Sequence, residues 1–300
     1  MRYLILILSI LIYACGSRQN NTAGTTAGNN YSLPEIPTFI SDPRQRNLYI
    51  SEHYWDKFNF GDTSLIGKSQ TESFFADYLR IVALIPHQVP QSLDSFWKKA
   101  GSHPLVRNYY ISLFDKYWGH PNSPYRDEEL YIAFLEGLLS QTFCDSLQLQ
   151  LYGDKLSRYS KNRVGSVAAD LTLLSYKDGK LSQISLSDIS SEYTLLYFNN
   201  PECQECMRYT YILGVEVAQL LSEKDVQVLS IYPDEDIELW KGHQLPSQWI
   251  KSFDSLRMIN GENAYFLPAI PTLYLLDREK RVLLKDCTID KLVGFLANQQ

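Results

Sequence analysis

The sequence is poor in the residues that hold metals, with five cysteines and five histidines among 300 residues. Cys144 and Cys287 stand alone, and no two of His53, His87, His103, His120 and His243 lie at metal-ligand spacing. A structural zinc site takes four ligands, commonly as two close pairs, so this set speaks against one. An excess of positive charge is lacking too. A formal net charge of −6 argues against nucleic acid as a partner and against a basic patch for anionic lipid. The N-terminal apolar run, Leu4–Tyr13, is too short to span a bilayer as an ordinary helix. No internal repeat or low-complexity tract appears after residue 33.

What is present begins with a leader. Met1–Ala14 has one early positive charge, Arg2, then the apolar run, which are the proportions of a secretory signal. It ends in Ile12-Tyr13-Ala14-Cys15-Gly16, which resembles the lipobox of bacterial lipoproteins, with Ile12 and Tyr13 in place of the usual Leu and small residue. The resemblance implies cleavage before Cys15 and lipidation of its sulfur, with several acyl chains holding the mature protein at a bacterial membrane. A free signal-peptide cysteine is the alternative. Residues 15–33 are Gly, Ser, Thr and Asn with almost no apolar content, a flexible tether. No acidic run follows Cys15, so the expected location is the periplasm-facing side of the cell envelope rather than the cell surface. That compartment is oxidising, and a dithiol kept active there needs its own electron supply.

About 285 residues follow the leader, enough for two domains. Residues 34–160 read as helical. Phe75, Tyr78, Leu79 and Val82 recur at helical spacing before Pro86, and Leu93, Phe96 and Trp97 form a second face. Tyr109, Tyr110, Leu113, Phe114, Tyr117 and Trp118 form a third, and Leu130, Phe134, Leu135 and Leu138 a fourth. Pro121, Ser123 and Pro124 break the chain before Asp127-Glu128-Glu129, acidic residues suited to a helix's first turn. Phe143, Leu147, Leu151 and Leu156 predict a last helix, giving a bundle of five or six. The 21 tyrosines and five tryptophans read mainly as packing. Asp115, His120 and residues 127–129 could carry chemistry, but surface charge and helix capping account for them better. The stretch Pro121–Glu129, followed by Leu130–Leu138 and Ser160–Gly165, resembles the uncharacterised helical domain found ahead of thioredoxin-like domains in Bacteroidetes lipoproteins. That resemblance places a domain without giving it a task.

Beyond Val164 short β-rich runs take over. Leu171–Tyr176 and Leu181–Leu186 flank Asp178-Gly179, a two-residue hairpin signal. Thr194–Phe198 reads as a buried central strand and Val226–Tyr232 as the next. Thr272–Asp277 and Val282–Lys285 read as an antiparallel pair, and Ile289–Asn298 as a closing helix. The insertion from Asp234 to Pro268, with Trp240 and Trp249, is expected to border the site and cover the second face of the sheet.

Directly after the central strand stands Asn199-Asn200-Pro201-Glu202-Cys203-Gln204-Glu205-Cys206. It reads as a turn that delivers two cysteines to the start of a helix, Met207–Ser222. Such cysteines can share a disulfide, and the helix dipole with its unpaired N–H groups can hold the first as a thiolate. That geometry suits thiol–disulfide exchange, in which one sulfur attacks and the second resolves. A purely structural disulfide remains open, although so small a loop stabilises weakly. Sixty-five residues after Cys206, Ala269-Ile270-Pro271-Thr272 places a proline at the head of another apolar strand.

Strand, C-x-x-C helix, then X-Pro-Thr into a strand resembles the thioredoxin superfamily, and the preceding hairpin resembles its alkyl-hydroperoxide-reductase and thiol-reductase branch. The implied architecture is α+β in two domains: an all-α bundle over 34–160, then a thioredoxin-like α/β domain over 164–300 with a central mixed sheet flanked by helices. By this resemblance Cys203 is the attacking thiolate, Cys206 the buried resolving thiol, and Pro271 cis. Ile270 presents backbone groups to an extended substrate, with Pro201 and Glu202 beside it. A proline that merely begins a strand is the plainer reading of Pro271. The resemblance implies no cofactor beyond the Cys203–Cys206 disulfide and no metal. Its partners are a protein or small disulfide and a membrane thiol carrier that supplies electrons.

The chain departs from thioredoxin at three points. Tyr197 replaces the buried carboxylate six residues before the first cysteine, so water, Tyr197, Glu192 or Asp277 has to take the proton of the resolving thiol. Glu202 replaces Trp, and Gln204-Glu205 replaces Gly-Pro. Carboxylates beside Cys203 oppose its thiolate, with Arg208 the close cation, which predicts a dithiol suited to reduction. The first reading is therefore a membrane-anchored periplasmic thiol–disulfide oxidoreductase. The second is a non-catalytic binding lipoprotein in which the thioredoxin-like domain is a scaffold and the helical domain takes a partner.

Overall fold

A computed structural model describes residues 31–177 and 179–299. Cys15, the leader and most of the tether lie outside the described residues, as does Asp178 of the hairpin turn. Six α-helices come first: α1 Pro43–His53, α2 Ser69–Ala83, α3 Val89–Ala100, α4 Pro104–Phe114, α5 Glu128–Leu139 and α6 Ser146–Tyr159. Proline stands in the first turn of α1, α3 and α4, where no N–H partner is lost. The side chains of Asp42, Asp127 and Asp145 cap α1, α5 and α6 by accepting from the N–H groups of Gln45, Leu130 and Gln148. Trp55 is fully buried and meets Phe58, Phe74, Phe96 and Tyr110 edge to face, which assigns much of the aromatic excess to this core.

Two helices differ from the sequence reading. α1 carries no apolar stripe and buries only Ser51, so periodicity did not disclose it. The expected face of α6 is also wrong: Leu147 and Leu151 are exposed, while Tyr152 and Tyr159 are buried. Tyr159 turns inward to its ring partners Tyr131 and Phe266, and of the expected leucines only Leu156 packs against the core.

The second half is a seven-stranded mixed sheet. Its strands are β1 Thr172–Lys177, β2 Lys180–Ser185, β3 Tyr193–Phe198, β4 Val226–Tyr232, β5 Ile250–Phe253, β6 Thr272–Leu276 and β7 Val282–Lys285, in spatial order β2-β1-β5-β4-β3-β6-β7. β3, β4 and β5 run parallel, and the remaining neighbours are antiparallel. Helices α7 Gln204–Tyr211, α8 Ala218–Glu223, α9 Ile237–Gly242 and α10 Ile289–Ala297 complete it, with a π-helical turn at Ile212–Glu216 between α7 and α8. Period-two alternation sends Leu195 and Tyr197 to the core shared with Leu213, Leu221, Leu292 and Leu296, and Leu196 and Phe198 to the opposite core. The insertion does more than cover a face: its β5 fits between β4 and β1 and widens the sheet. Trp240 packs on Phe253 at that edge, and Trp249 stands edge-on to Tyr197.

The two halves meet through buried charge. At the end of β7, Lys285 pairs with Glu128 at the start of α5, with 3% and 10% of their side chains exposed. The next residue, Asp286, pairs with Arg126. Lys285 Nζ also donates to the carbonyls of Tyr159 and Lys161, at 2.6 and 2.5 Å. Burial pushes the Glu128 carboxyl up and the Lys285 ammonium down, each only partly offset by the other's charge. Asn162 joins the halves further, donating to the Ala264 carbonyl and accepting from the Ala169 N–H.

Removing one member of a buried pair strands the other. Lys285→Met should lower the unfolding free energy in a denaturant titration by about 3–5 kcal/mol, and Glu128→Leu added to it should restore much of the loss. A single substitution with no measurable cost would show that water reaches the pair.

Candidate functional site

The register of the sheet assembles the site. β3 pairs antiparallel with β6, and Phe198 at the end of one faces Thr272 at the start of the other. The chain leaving Phe198 and the chain arriving at Thr272 therefore share one edge. Asn199 is buried and donates to the Tyr197 carbonyl and to Ser230 Oγ, which locks the exit of β3. Asn200 shapes the turn that follows. Its Oδ1 accepts from the Glu202 N–H at 2.9 Å, its carbonyl accepts from the Cys203 N–H at 3.1 Å, and its Nδ2 donates to Asp234.

Cys203 occupies the N-cap of α7, and its Sγ accepts the Cys206 N–H at 3.2 Å. A sulfur so placed sits on the positive end of the helix dipole and on an N–H that has no helical partner. The same sulfur lies 3.8 Å from the Ile270 carbonyl oxygen. The Ile270–Pro271 peptide is cis. Thr272 Oγ1 donates back to the Ala269 carbonyl at 2.6 Å and lies 3.4 Å from Asp286 Oδ1. Cys203, Cys206, Ile270 and Pro271 are thus brought together. Pro201 and Glu202 form the turn before the cysteines, Pro201 half-buried and Glu202 exposed.

Cys206 is buried at 1% exposure behind Cys203. Burial, reinforced by the hydrogen bond with Cys203, pushes its thiol up to about 12. Beneath it the Tyr197 hydroxyl donates to the Cys206 carbonyl at 2.6 Å and lies 3.0 Å from Thr210 Oγ1. Burial raises the Tyr197 phenol as well, so it remains protonated and is no base for the resolving thiol near neutral pH. Glu192 and Asp277 do not serve either. Glu192 precedes β3, and Asp277 follows Leu276, which pairs with Thr194 at the far end of that strand. Five or six strand steps separate them from the site, more than about 16 Å, and Glu192 is already paired with Arg278. None of the three side chains offered by the sequence is therefore placed to take the Cys206 proton. Glu205, by contrast, is held by Arg208, which lowers its carboxyl and offsets its charge toward Cys203. Cys144 and Cys287 are free, and burial pushes Cys287 up to about 12.

The sequence reading missed three contributors: Asn200, Thr272 with Asp286, and Tyr209, which lines the cleft beside Pro271. Asn before Pro was a turn signal for the first. Thr272 stood in the Ile-Pro-Thr step, but its tie to Asp286 and the place of Tyr209 depend on contacts distant in sequence and left no local mark.

Comparison with known proteins adds the following. The domain of unknown function DUF5106 matches residues 14–162. A thioredoxin-like protein from Bacteroides caccae is similar to this chain at 36% identity, covering 90% of this chain and 98% of that one, with a TM-score of 0.83. The C-terminal domain of an uncharacterized protein from Bacteroides fragilis shares 39% identity over 46% of this chain and 100% of that one, with a TM-score of 0.43. The thioredoxin domain of a thiol-disulfide oxidoreductase from Bacteroides vulgatus shares 22% over 45% and 96%, with a TM-score of 0.39. No curated protein matches.

With the Cys206 thiol near 12 and no carboxylate beneath it, resolution of a mixed disulfide at Cys203 is limited by the Cys206 proton. In single-turnover experiments the resolving rate should climb about tenfold per pH unit from pH 7 to 10, following the thiolate fraction. A plateau below about pH 9 would reveal a base that takes the proton earlier.

Proposed function

The chain belongs to the two-domain thioredoxin-like proteins, and from that premise we propose that it is a thiol–disulfide oxidoreductase working as a reductase. The observation that carries the reading is the position of Cys203 Sγ, between the Cys206 N–H at a helix N-terminus and the Ile270 carbonyl beside a cis-proline. In the forward step the Cys203 thiolate attacks one sulfur of a substrate disulfide. A Cys203–substrate bond forms, the substrate S–S bond breaks, and its second sulfur leaves as a thiolate. Cys206, after losing its proton to water, attacks Cys203 Sγ. The substrate leaves as a dithiol, and the Cys203–Cys206 disulfide retains the two-electron deficit. A dithiol donor reverses that change by the same exchange.

Ile270 has its backbone turned to this reaction. Among the described residues no acceptor engages its N–H, which is available to an extended substrate strand, and its C=O is met only by the Cys203 thiol, which gives up its proton in the reaction. Pro271 contributes no N–H that could compete with the sulfur. Pro201 and Glu202 flank the other side. No metal or organic cofactor takes part in this scheme. The proposal includes lipidation at Cys15, a periplasm-facing membrane anchor, and a membrane thiol carrier as electron donor, on the leader pattern described above.

The second reading, a binding module on a thioredoxin-like scaffold, draws on Tyr197, which stands beneath Cys206 where thioredoxin has its buried carboxylate. The two readings part in one assay. Purified protein supplied with a dithiol should reduce insulin disulfides catalytically, and Cys203→Ser should abolish turnover. Equal activity in the variant, or none in the parent, would favour the scaffold.

A further inference from the structure

One cleft of about 850 Å³ runs along the seam between the helical bundle and the sheet. Neither cysteine of the pair lines it, but Ile270, whose carbonyl lies 3.8 Å from Cys203 Sγ, does, as do Glu205 and Pro271. Tyr209 of α7 with Ile270 and Pro271 form one wall, and Pro86, Pro121 and Pro124 of the helical half form the other. We propose that this cleft receives an extended polypeptide segment carrying the substrate cysteine, and that the Pro121–Arg126 stretch is the specificity wall of the enzyme. The inference rests on the thiol–disulfide reading and deepens it, giving the helical domain its task.

Three observations select that occupant. The volume lies near the upper end of ordinary small-ligand sites, so a low-molecular-weight disulfide would leave most of the cleft empty. A folded protein surface is disfavoured by the second wall, which confines the approach to Ile270 from the helical side. A chain in extended form fits between two walls and can pair with the Ile270 N–H, which has no acceptor among the described residues. The prolines suit this role: their rings are apolar and rigid, they lack an N–H, and they leave carbonyls for a passing main chain.

The wall is also fixed relative to the sulfur. Arg126, at the end of the 121–126 stretch, pairs with Asp286, whose other oxygen lies 3.4 Å from Thr272 Oγ1. Thr272 holds the Ala269 carbonyl just before the cis-proline. Helical wall and cis-proline loop are thereby tied through one carboxylate. Around the mouth every carboxylate but Asp127 is in an ion pair, Glu128 with Lys285, Glu129 with Arg163, Glu205 with Arg208 and Asp286 with Arg126. Lys291 offsets the charge of Asp127, so a neutral segment suits the cleft.

The test uses the full chain carrying Cys206→Ser, which stops after the first exchange. The probe is an unstructured, neutral peptide whose one cysteine bears thionitrobenzoate, with benzophenone three residues away. Cys203 attacks the peptide sulfur and thionitrobenzoate leaves as its thiolate, so complex formation is read by colour and by mass on Cys203. On illumination, crosslinks should map to residues 121–126 and Pro86 as well as to the cis-proline loop. Crosslinks confined to residues 201–216 and 265–287 would overturn the inference while leaving the thiol–disulfide reading intact. No release of thionitrobenzoate at Cys203 would sink that reading, and this one with it. A second measurement guards the result: Pro124→Trp, otherwise unaltered, should lower kcat/KM for a disulfide peptide about tenfold and for a small aromatic disulfide less than about twofold. Equal effects on both substrates would count against the wall.

Discussion

The pairing of Phe198 with Thr272 is the constraint from which the rest of the molecule follows. It aligns the exit of one buried strand with the start of its antiparallel neighbour, so the turn bearing Cys203 and the loop bearing Pro271 cannot be far apart. A shift of one residue would turn Tyr197 and Leu195 to the other face and take the cysteine helix with them. The short hairpin from β6 to β7 then returns the chain to the same edge, where Lys285 and Asp286 emerge beside Thr272. Those two side chains are what the helical half grips. One register therefore sets the cysteine pair, the cis-proline loop and the docking of the first domain.

The electrostatics of the site are built on burial rather than on charge. Cys203 Sγ accepts an N–H at a helix N-terminus, while Cys206 is buried behind it, over the Tyr197 hydroxyl. The two sulfurs, three residues apart, occupy opposite environments, which separates the attacking from the resolving role. In the proposed exchange the resolving proton would leave to water, which would slow resolution and prolong the mixed disulfide in the proposed cleft. The buried pairs between domains act on the same geometry, since they keep the proline wall beside the reacting sulfur.

Much of this was legible in the residues themselves. The apolar run of β3, the Asn-Asn-Pro turn, the C-x-x-C and the Ile-Pro-Thr step are local signals, and each stands at the element the sequence predicts there. The fold class follows from their order. What could not be read was non-local or unpatterned. α1 lacks an apolar stripe, so only its Asp42-Pro43 start could have revealed it. β5 is four residues long and hidden in the insertion. The α6 face turns on Tyr159, whose ring partners Tyr131 and Phe266 lie outside the helix, while Leu147 and Leu151 of the leucine spacing stay exposed. Arg126 and Asp286 lie 160 positions apart, and neither marks the other in sequence.

The central claim is that Cys203 and Cys206 form an exchangeable couple poised to reduce. Its most direct test is the equilibrium reduction potential of that couple, titrated against a dithiol buffer with Cys203→Ser as control. The account predicts a potential near thioredoxin's, about −270 mV. A disulfide that fails to equilibrate, or one as oxidising as about −120 mV, would contradict it.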